Sequence, residues 1–390
     1  MPVLSCNHVT YSSGTASYSC VLQNQCALVK FTTASTTDPV HVGGLYTEAM
    51  IDFDNNSITN NGTTGFVNLH PDAEDNEAKW AVLLPQTSFS GIEGVVADKG
   101  YTMQTQTTIL ADGFITGDDF SISSTPSHNR YLQWAIGDLT LEDGDQVYGT
   151  LGGQYRVSIA AGATTNGVTL NGVTIDRSGL NYPGIKCLGN ATITLKDGTA
   201  NTVKGFNQGY PGIYVPEGST LIIQGETTPG TGSLDAFGRG TGGAGIGGGK
   251  NSSCGNITIS GGIVSATGGQ YAAGIGGGRP TSSSYTANCG NIFISGGIVT
   301  AEGGERAAGI GGGKGIDGQH KTKCGTITIT SGVTSVEATR VSSASAYIGA
   351  GWSCTCGKVT IDDVENATTS STFEYFNSTI NGNTWTLMHK

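Results

Sequence analysis

Residues 254–266 read CGNITISGGIVSA, and residues 289–301 repeat them as CGNIFISGGIVTA. A third copy opens with CGTITI at Cys324, and a degenerate fourth copy opens with CGKVTI at Cys356. The cysteines that start the first three copies are each 35 residues apart. A period of about 20 to 50 residues is typical of solenoids, propellers and other repeat arrays. These copies predict one structural unit that is used several times in succession.

A glycine-rich corner motif recurs between the copies. It reads GAGIGGGK up to Lys250, AAGIGGGR up to Arg279, AAGIGGGK up to Lys314 and YIGAGW up to Trp352. Each copy contains short strands joined by glycine corners, which suits one three-sided coil of a parallel β-helix. Stacking such coils about 4.8 Å apart predicts an internal ladder of like residues. The expected members of this ladder are Ile259, Ile294 and Ile329.

Weaker coils extend the same rhythm towards the N-terminus. Residues 168–175 read VTLNGVTI, and residues 184–203 read GIKCLGNATITLKDGTANTV. Together with the GIGGG coils, they are similar to the carbohydrate-binding right-handed β-helix modules found in secreted proteins of clostridia and Bacteroidetes. The resemblance covers residues 145–365. It implies polysaccharide binding, often with bound calcium, rather than catalysis.

The first 140 residues show no such period. Their strongest apolar run is KWAVLLPQ at residues 79–86, which predicts a buried strand that ends at a proline. This run, with VKFTTAST at residues 29–36 and GYTMQTQTTI at residues 100–109, resembles the fimbrillin-type β-sandwich adhesin domain of Bacteroidetes. The resemblance is local and implies an adhesive surface protein.

We therefore predict an all-β chain of three parts. These are an N-terminal fimbrillin-like β-sandwich at residues 1–140, a right-handed parallel β-helix (a β-solenoid) at residues 141–365, and a C-terminal cap at residues 366–390. The cap contains STFEYFNSTINGNTWTLMHK, because the last coil of a solenoid must cover its open edge.

Composition restricts the function classes. The chain has 390 residues, of which 63 are glycine and 13% are charged, and its formal net charge is −11. An acidic chain lacks the basic face that nucleic acid requires, so nucleic acid is not an expected partner. No stretch approaches the roughly 18 apolar residues of a transmembrane helix. Leu4-Ser5-Cys6 resembles the end of a bacterial lipoprotein signal and predicts a lipid anchor on Cys6, with a plain N-terminal loop as the alternative.

The cysteines and histidines do not predict a zinc site. The nine cysteines include no C-x-x-C pair, and the six histidines lack ligand spacing. The repeat cysteines are expected to form a ladder of buried, reduced thiols, which is favoured over a metal site or disulfides. Cys20 and Cys26 could close a small loop in an oxidising compartment.

Catalytic and calcium-binding interpretations rest on acidic residues. A β-helix hydrolase needs clustered carboxylates, but the two Asp pairs, Asp118-Asp119 and Asp362-Asp363, are expected to be solvated turn residues. Calcium is the cofactor that the sequence suggests, because two acidic segments, DGFITGDD and EDGD, contain several carboxylates that could bind it. Its candidate ligands, for which ordinary acidic turns are the favoured alternative, are Asp112, Asp118, Asp119, Asp143 and Asp145.

Two sets of residues are candidates for ligand binding. In-register stacking would align Lys250, Arg279, Lys314 and Trp352 into one strip. A uronic-acid or sulfated polysaccharide would pair with the cations, and a sugar ring would stack on Trp352. The favoured alternative is that Glu302, Glu305 or Asp317 neutralises solvated corner cations. The second set comprises aromatic residues of upstream corners, which project outwards or, for half of them, belong to the core: Tyr182, Phe206, Tyr210 and Tyr214.

These observations predict a non-catalytic bacterial adhesin or carbohydrate-binding protein that is secreted or displayed on the outer-membrane cell surface. Its expected partner is a polysaccharide or host glycan along the β-helix, with other fimbrial or surface proteins as further partners. A β-helix polysaccharide lyase or hydrolase is the first alternative. A structural fimbrial subunit is the second.

Overall fold

The computed structural model describes residues 4–6, 22–24, 26–33, 37–52, 57–60, 62–71, 74–75, 77–84, 86, 92–105, 109, 114–115, 120–317, 322–361, 364–366, 376–380 and 383–387. The chain forms two compact units, Met1–Trp134 and Ala135–Lys390. Each unit is all-β in its described residues apart from one short 3₁₀ turn, Leu132–Trp134. Among these residues, no helix is long and apolar enough to cross a membrane.

The described residues of the N-terminal unit form β-strands. They are β1 (Leu4–Cys6), β2 (Leu22–Asn24), β3 (Ala27–Thr32), β4 (Val40–Tyr46), β5 (Ala49–Asp52), β6 (Ser57–Asn60), β7 (Thr64–Asn68), β8 (His70–Pro71), β9 (Ala78–Leu83), β10 (Glu93–Val96), β11 (Lys99–Thr105), β12 (Phe114–Ile115) and β13 (Phe120–Tyr131).

Most pairings in this unit are antiparallel and enclose one core. β4 pairs with β7 and β10, β10 pairs with β11, β11 pairs with β13, and β3 pairs with β9. β3 also pairs in parallel with β12 and at one residue with β13. Phe31 and Phe120 are fully buried with ring centroids 5.4 Å apart, and residues of β4, β9 and β11 join them. Strands from different parts of this unit therefore contribute to one shared core.

The second unit contains the solenoid. Its strands are β14 (Leu139–Leu141), β15 (Gln146–Thr150), β16 (Val157–Ile159), β17 (Ala163–Ile175), β18 (Ile185–Cys187), β19 (Ala191–Leu195), β20 (Ala200–Lys204), β21 (Ile213–Tyr214), β22 (Thr220–Gly225), β23 (Ser233–Phe237), β24 (Ile246–Gly247), β25 (Asn256–Thr267), β26 (Ile275–Gly276), β27 (Ile292–Glu302), β28 (Ile310–Gly311), β29 (Thr322–Cys324), β30 (Ile327–Ile329), β31 (Ser335–Thr339), β32 (Ile348–Gly349), β33 (Cys354–Cys356), β34 (Val359–Ile361), β35 (Val364–Asn366), β36 (Phe376–Ile380) and β37 (Asn383–Leu387).

Parallel ladders run along the three sides of a β-helix, as the sequence predicts. One side stacks β14, β16, β18, β21, β24, β26, β28 and β32. A second side runs through β19, β22, β25, β27, β30 and β34, and a third runs through β20, β23, β25, β27 and β31. β25 and β27 serve two sides because each bends at a glycine pair. At the C-terminal end, β36 and β37 form an antiparallel hairpin.

The interior contains the predicted isoleucine ladder. Ile259 lies in register with Ile294, and Ile294 with Ile329, and all three are fully buried. Fully burying one such side chain contributes about 1.5 to 3 kcal/mol. The 35-residue period therefore places like residues above one another.

A column of thiols runs beside this ladder. Cys254, Cys289 and Cys324 are buried and unbridged, and Cys324 lies in register with Cys356. A hydrogen bond with Cys254, together with burial, raises the pKa of the Cys289 thiol well above its usual value. The Cys324 pKa is raised in the same way by its hydrogen bond with Cys289 and by burial. Both thiols therefore stay protonated at neutral pH.

Glycine is required where neighbouring coils approach backbone to backbone. Gly276 and Gly311 have φ values of 129° and 132°, which side-chain-bearing residues rarely adopt. A Cβ built at Gly276 would overlap the carbonyl oxygen of Gly311. The GIGGG motif is therefore a packing requirement of this face.

Candidate functional site

The corner that follows the glycine motif keeps its register through four coils. Ile246, Ile275, Ile310 and Ile348 are in-register partners, although 29, 35 and 38 residues separate them along the chain. The stack therefore keeps its register although the connecting segments differ in length. The four residues that end the corner motifs thus occupy equivalent positions: Lys250, Arg279, Lys314 and Trp352.

A second column of residues lies beside the first. The backbone N–H groups of Lys250, Arg279, Lys314 and Trp352 donate in turn to the carbonyl oxygens of Gly209 (2.7 Å), Gly242 (3.1 Å), Tyr271 (3.0 Å) and Arg306 (2.8 Å). All four acceptor residues have positive φ. For Tyr271 and Arg306 this left-handed conformation is strained, at a cost of order 1 to 3 kcal/mol. The two later coils therefore present a side chain where the two earlier coils have none.

Aromatic rings and cations alternate along these two columns. The Tyr271 ring centroid lies 4.4 Å from the Arg279 guanidinium carbon and 4.3 Å from the Lys314 Nζ atom. The Trp352 centroid lies 5.5 Å from Lys314 Nζ and 5.3 Å from the Arg306 guanidinium carbon. Each ring attracts the cations beside it and so offsets part of their mutual repulsion. We call Arg279, Tyr271, Lys314, Trp352 and Arg306 the basic row.

The basic row carries concentrated positive charge. Partial burial lowers the pKa of Lys314, and the charges of Arg279 and Arg306 lower it further, while Glu305 opposes them. Glu305 lies 3.8 Å from Arg306. Within the described part of the chain, no carboxylate lies within 4.0 Å of Lys250, Arg279 or Lys314. Neutralisation by acidic neighbours, the favoured alternative from the sequence, stays a prediction: Glu305 pairs with Arg306 and also raises the pKa of Lys314.

The other predicted ligand-binding residues, Tyr182 and Tyr210, lie with Lys250 in a surface groove of about 690 Å³. Lys250 joins the groove to the basic row, because a Cβ built at Gly242 would contact the Cβ atoms of both Lys250 and Arg279. The charged and aromatic residues that line the groove are Arg156, Lys186, Lys250, Tyr182, Tyr210 and Tyr214. The described lining contains no carboxylate and no histidine.

Hydrogen bonds and cations hold two of the groove tyrosines. The hydroxyl groups of Tyr182 and Ser158 are 2.8 Å apart, and the cations of Arg156 and Lys186 lie 5.4 and 5.8 Å from the Tyr182 ring centroid. The Tyr214 hydroxyl donates to the Ser253 carbonyl oxygen at 3.3 Å. Burial raises the Tyr214 pKa, so this hydroxyl remains a neutral donor.

Sequence reasoning missed part of the site. Tyr271 and Arg306 occupy the same position in GGQYAAGIGGG and GGERAAGIGGG, so aligning these copies would have placed both beside the predicted strip. No such repeat marks Arg156 and Lys186. Of the four corner aromatics, half of which were expected in the core, Phe206 is 1% exposed and belongs to the core.

The acidic candidates fall into two groups. Asp112, Asp118, Asp119, Asp362 and Asp363 lie outside the described residues, as does the side chain of Cys6. Asp143 and Asp145 organise turns: Asp143 accepts from the N–H groups of Asn166 and Gly167, and Asp145 accepts from the Glu142 N–H at 2.9 Å. Burial raises the Asp143 pKa, but these hydrogen bonds outweigh it and lower the pKa overall. Among the described side chains, no group of three or more His, Cys, Asp or Glu is arranged to hold a metal ion.

Comparison with protein families supports the architecture. The model of the β-helix repeat family matches residues 257–279 and 294–314, two stretches that end at Arg279 and Lys314 of the basic row. No match was found among curated proteins or among solved structures. The chain thus contains β-helix repeats, and the repeat that the family model describes includes the corner of the candidate site.

Proposed function

We propose that this chain is a non-catalytic polysaccharide-binding protein that is secreted or displayed on a bacterial surface. Its ligand is an acidic glycan that lies along the β-helix, across successive coils. The observation that carries the proposal is the basic row, in which one aromatic ring after another supports cations without a matching set of carboxylates.

Electrostatics favours a repeating anion as the ligand. Two unit charges at the roughly 4.8 Å spacing of neighbouring strands repel by about 1 kcal/mol even in water. Cations on successive coils also lie within the Debye length of about 8 Å at physiological salt. A chain of uronic-acid or sulfated sugars would bring one negative group to each cation and remove this repulsion.

The chain supports a surface role in two further ways. A net charge of −11 and 63 glycines describe an acidic, loop-rich protein in which a local basic row stands out. Extended β-solenoids also provide long surfaces suited to linear ligands. A host glycan or the polysaccharide of another cell would make the protein an adhesin, and fimbrial proteins would be further partners.

Charge reversal along the basic row and at the adjoining Lys250 tests the proposal. In Lys250→Glu/Arg279→Glu/Lys314→Glu, we expect binding to a polyuronate or sulfated polysaccharide to weaken by about 100-fold or more, since each lost pair contributes up to about 1 kcal/mol and repulsion replaces it. The matched control, Lys99→Glu/Lys323→Glu/Lys358→Glu, reverses three exposed lysines outside the row and makes the same net-charge change. Equal affinity of the two variants on a glycan array would reject the proposal.

A polysaccharide lyase is the second candidate. In the groove, the cations of Arg156 and Lys186 lie over the Tyr182 ring, and a tyrosine or lysine can remove a proton next to a carboxylate. Incubating the purified protein with polyuronates and measuring new unsaturated or reducing ends separates the two functions. We expect no release; sustained release that Tyr182→Phe abolishes would establish the lyase instead.

A further inference from the structure

Glycine replaces a side chain in one column of the corner beside the groove. Gly209 occupies the position that Tyr271 and Arg306 occupy in later coils, as the shared backbone hydrogen bonds show. A Cβ built at Gly209 would lie 2.7 Å from the Lys250 Cβ. The Lys250 side chain therefore packs directly against Gly209, and Lys250 joins the groove lining there.

The groove is bordered by tyrosine rings that no cation covers. Among the described residues, no cation lies over the ring of Tyr210 or Tyr214, whereas cations lie over Tyr182, Tyr271 and Trp352. The sequence predicts that a sugar ring stacks on Trp352. In the structure, the Trp352 ring already contacts the cations of Lys314 and Arg306. The uncovered tyrosine rings of the groove are therefore better placed to stack on a sugar.

The groove is also large enough for more than an ion. Its volume of about 690 Å³ lies within the range of roughly 300 to 1,000 Å³ that small-molecule sites occupy. Lys186 and Lys250 have no carboxylate partner within 4.0 Å in the described chain, and Arg156 has only Asp138, at 3.9 Å, with both side chains more than half exposed. These cations remain available to a ligand.

We infer that the groove is a distinct subsite for a short oligosaccharide of anionic pyranoses, which continues the polysaccharide path of the basic row. The apolar face of a sugar stacks on Tyr210 or Tyr214, and its carboxylate or sulfate pairs with Lys186 or Lys250. This inference rests on the proposed function for the longer path. The subsite itself binds a trisaccharide that is too short to need the row.

Calorimetry with a uronate trisaccharide and a long polyuronate tests the subsite. We expect Tyr210→Ala and Lys186→Met each to weaken trisaccharide binding by about tenfold, the effect of losing one stacking contact or one ion pair. Lys314→Met should leave trisaccharide binding unchanged and weaken only the long chain. Tyr210→Phe keeps the ring and should bind like the wild type, which separates stacking from misfolding.

Parallel ligands identify the sugar chemistry. A neutral trisaccharide should not bind, and a sulfated trisaccharide compared with the uronate shows which anion the groove prefers. A neutral trisaccharide that bound as tightly as the uronate would overturn the anionic assignment.

These measurements distinguish a failure of the subsite from a failure of the proposed function. If the wild type bound the long chain but not the trisaccharide, or if Lys314→Met weakened both equally, the subsite would be wrong and the proposed function would stand. If the wild type bound neither ligand, the proposed function itself would fail.

Discussion

The two units of this chain bury their apolar surface in different ways. The N-terminal unit has one core of interlocking large side chains, such as Phe31, Leu45 and Phe120, drawn from strands far apart in the sequence. The β-helix has columns of like residues, such as Ile259 above Ile294, and coils that touch through glycine backbone. A periodic core produces a repeat that can be recognised in the sequence, whereas an irregular core produces no such repeat.

The largest effect should follow from placing a charge in a column. Ile294 is fully buried, so Ile294→Asp leaves an unpaired carboxylate in the dry interior and should lower the free energy of unfolding by about 4 kcal/mol or more. Thr258→Asp, on the outward parity of the adjacent coil, should cost less than about 1 kcal/mol. Chemical denaturation of both variants measures the difference, and equal losses would show that the facing is wrong.

The next effect separates the close backbone contact between coils from the strain of a positive φ angle. Gly276→Ala forces a Cβ into the next coil and should destabilise by about 2 to 4 kcal/mol. Gly62 in the N-terminal unit also has positive φ (82°) but no heavy atom within 4 Å of a built Cβ, so Gly62→Ala should cost only about 1 kcal/mol of conformational strain. Thermal melts of the two variants provide the comparison. A Gly276→Ala protein as stable as Gly62→Ala would mean that the coils do not need their close approach.

The smallest effect concerns pH and belongs to the N-terminal unit. His41 is 7% exposed, stacks on Trp134 with centroids 4.2 Å apart, and bonds to the Asn68 side chain at 2.7 Å through Nδ1. Burial lowers its pKa from 6.5, and the bond to Asn68 opposes this in part. Between the folded and the unfolded pKa of His41, the unfolded chain is more protonated than the folded unit. The free energy of unfolding therefore falls as the pH drops below about 6.5, and it levels off below the folded pKa.

Urea unfolding at several pH values between about 7.5 and 5 measures this slope. His41→Phe keeps a ring against Trp134 and should flatten the slope. An unchanged slope in His41→Phe would assign the pH dependence to another group.

The β-helix could be predicted from the sequence in more detail than the N-terminal unit. The isoleucine ladder and the corner positions were predictable, because stacking repeats one environment every coil. In the N-terminal unit, the strand Ala78–Leu83 was predictable from its apolar run, but its pairing with β3 was not, since no period links the two.

The site shows the same limit at the level of single residues. The cations of the corner were predicted because they end a repeated motif. The orientation of the Phe206 side chain and the contribution of Arg156 depend on corners in coils that diverge from the repeat. Predicting the cation–ring contacts also requires the distances between the two columns of residues. An alignment of the repeat copies does not give these distances.

The tolerance of the corner register to loop length has a consequence for how such a surface grows. Because Ile246, Ile275, Ile310 and Ile348 stay aligned although the segments between them differ in length, inserting one more copy would lengthen the proposed ligand path by one rung without disturbing the others. Under the proposed function, valency would then be a count of copies: each added rung would contribute one more contact to the same linear ligand, and avidity would rise while the chemistry of each contact stays the same. Gene duplication within the repeat would thus be a direct route to tighter or longer-range attachment.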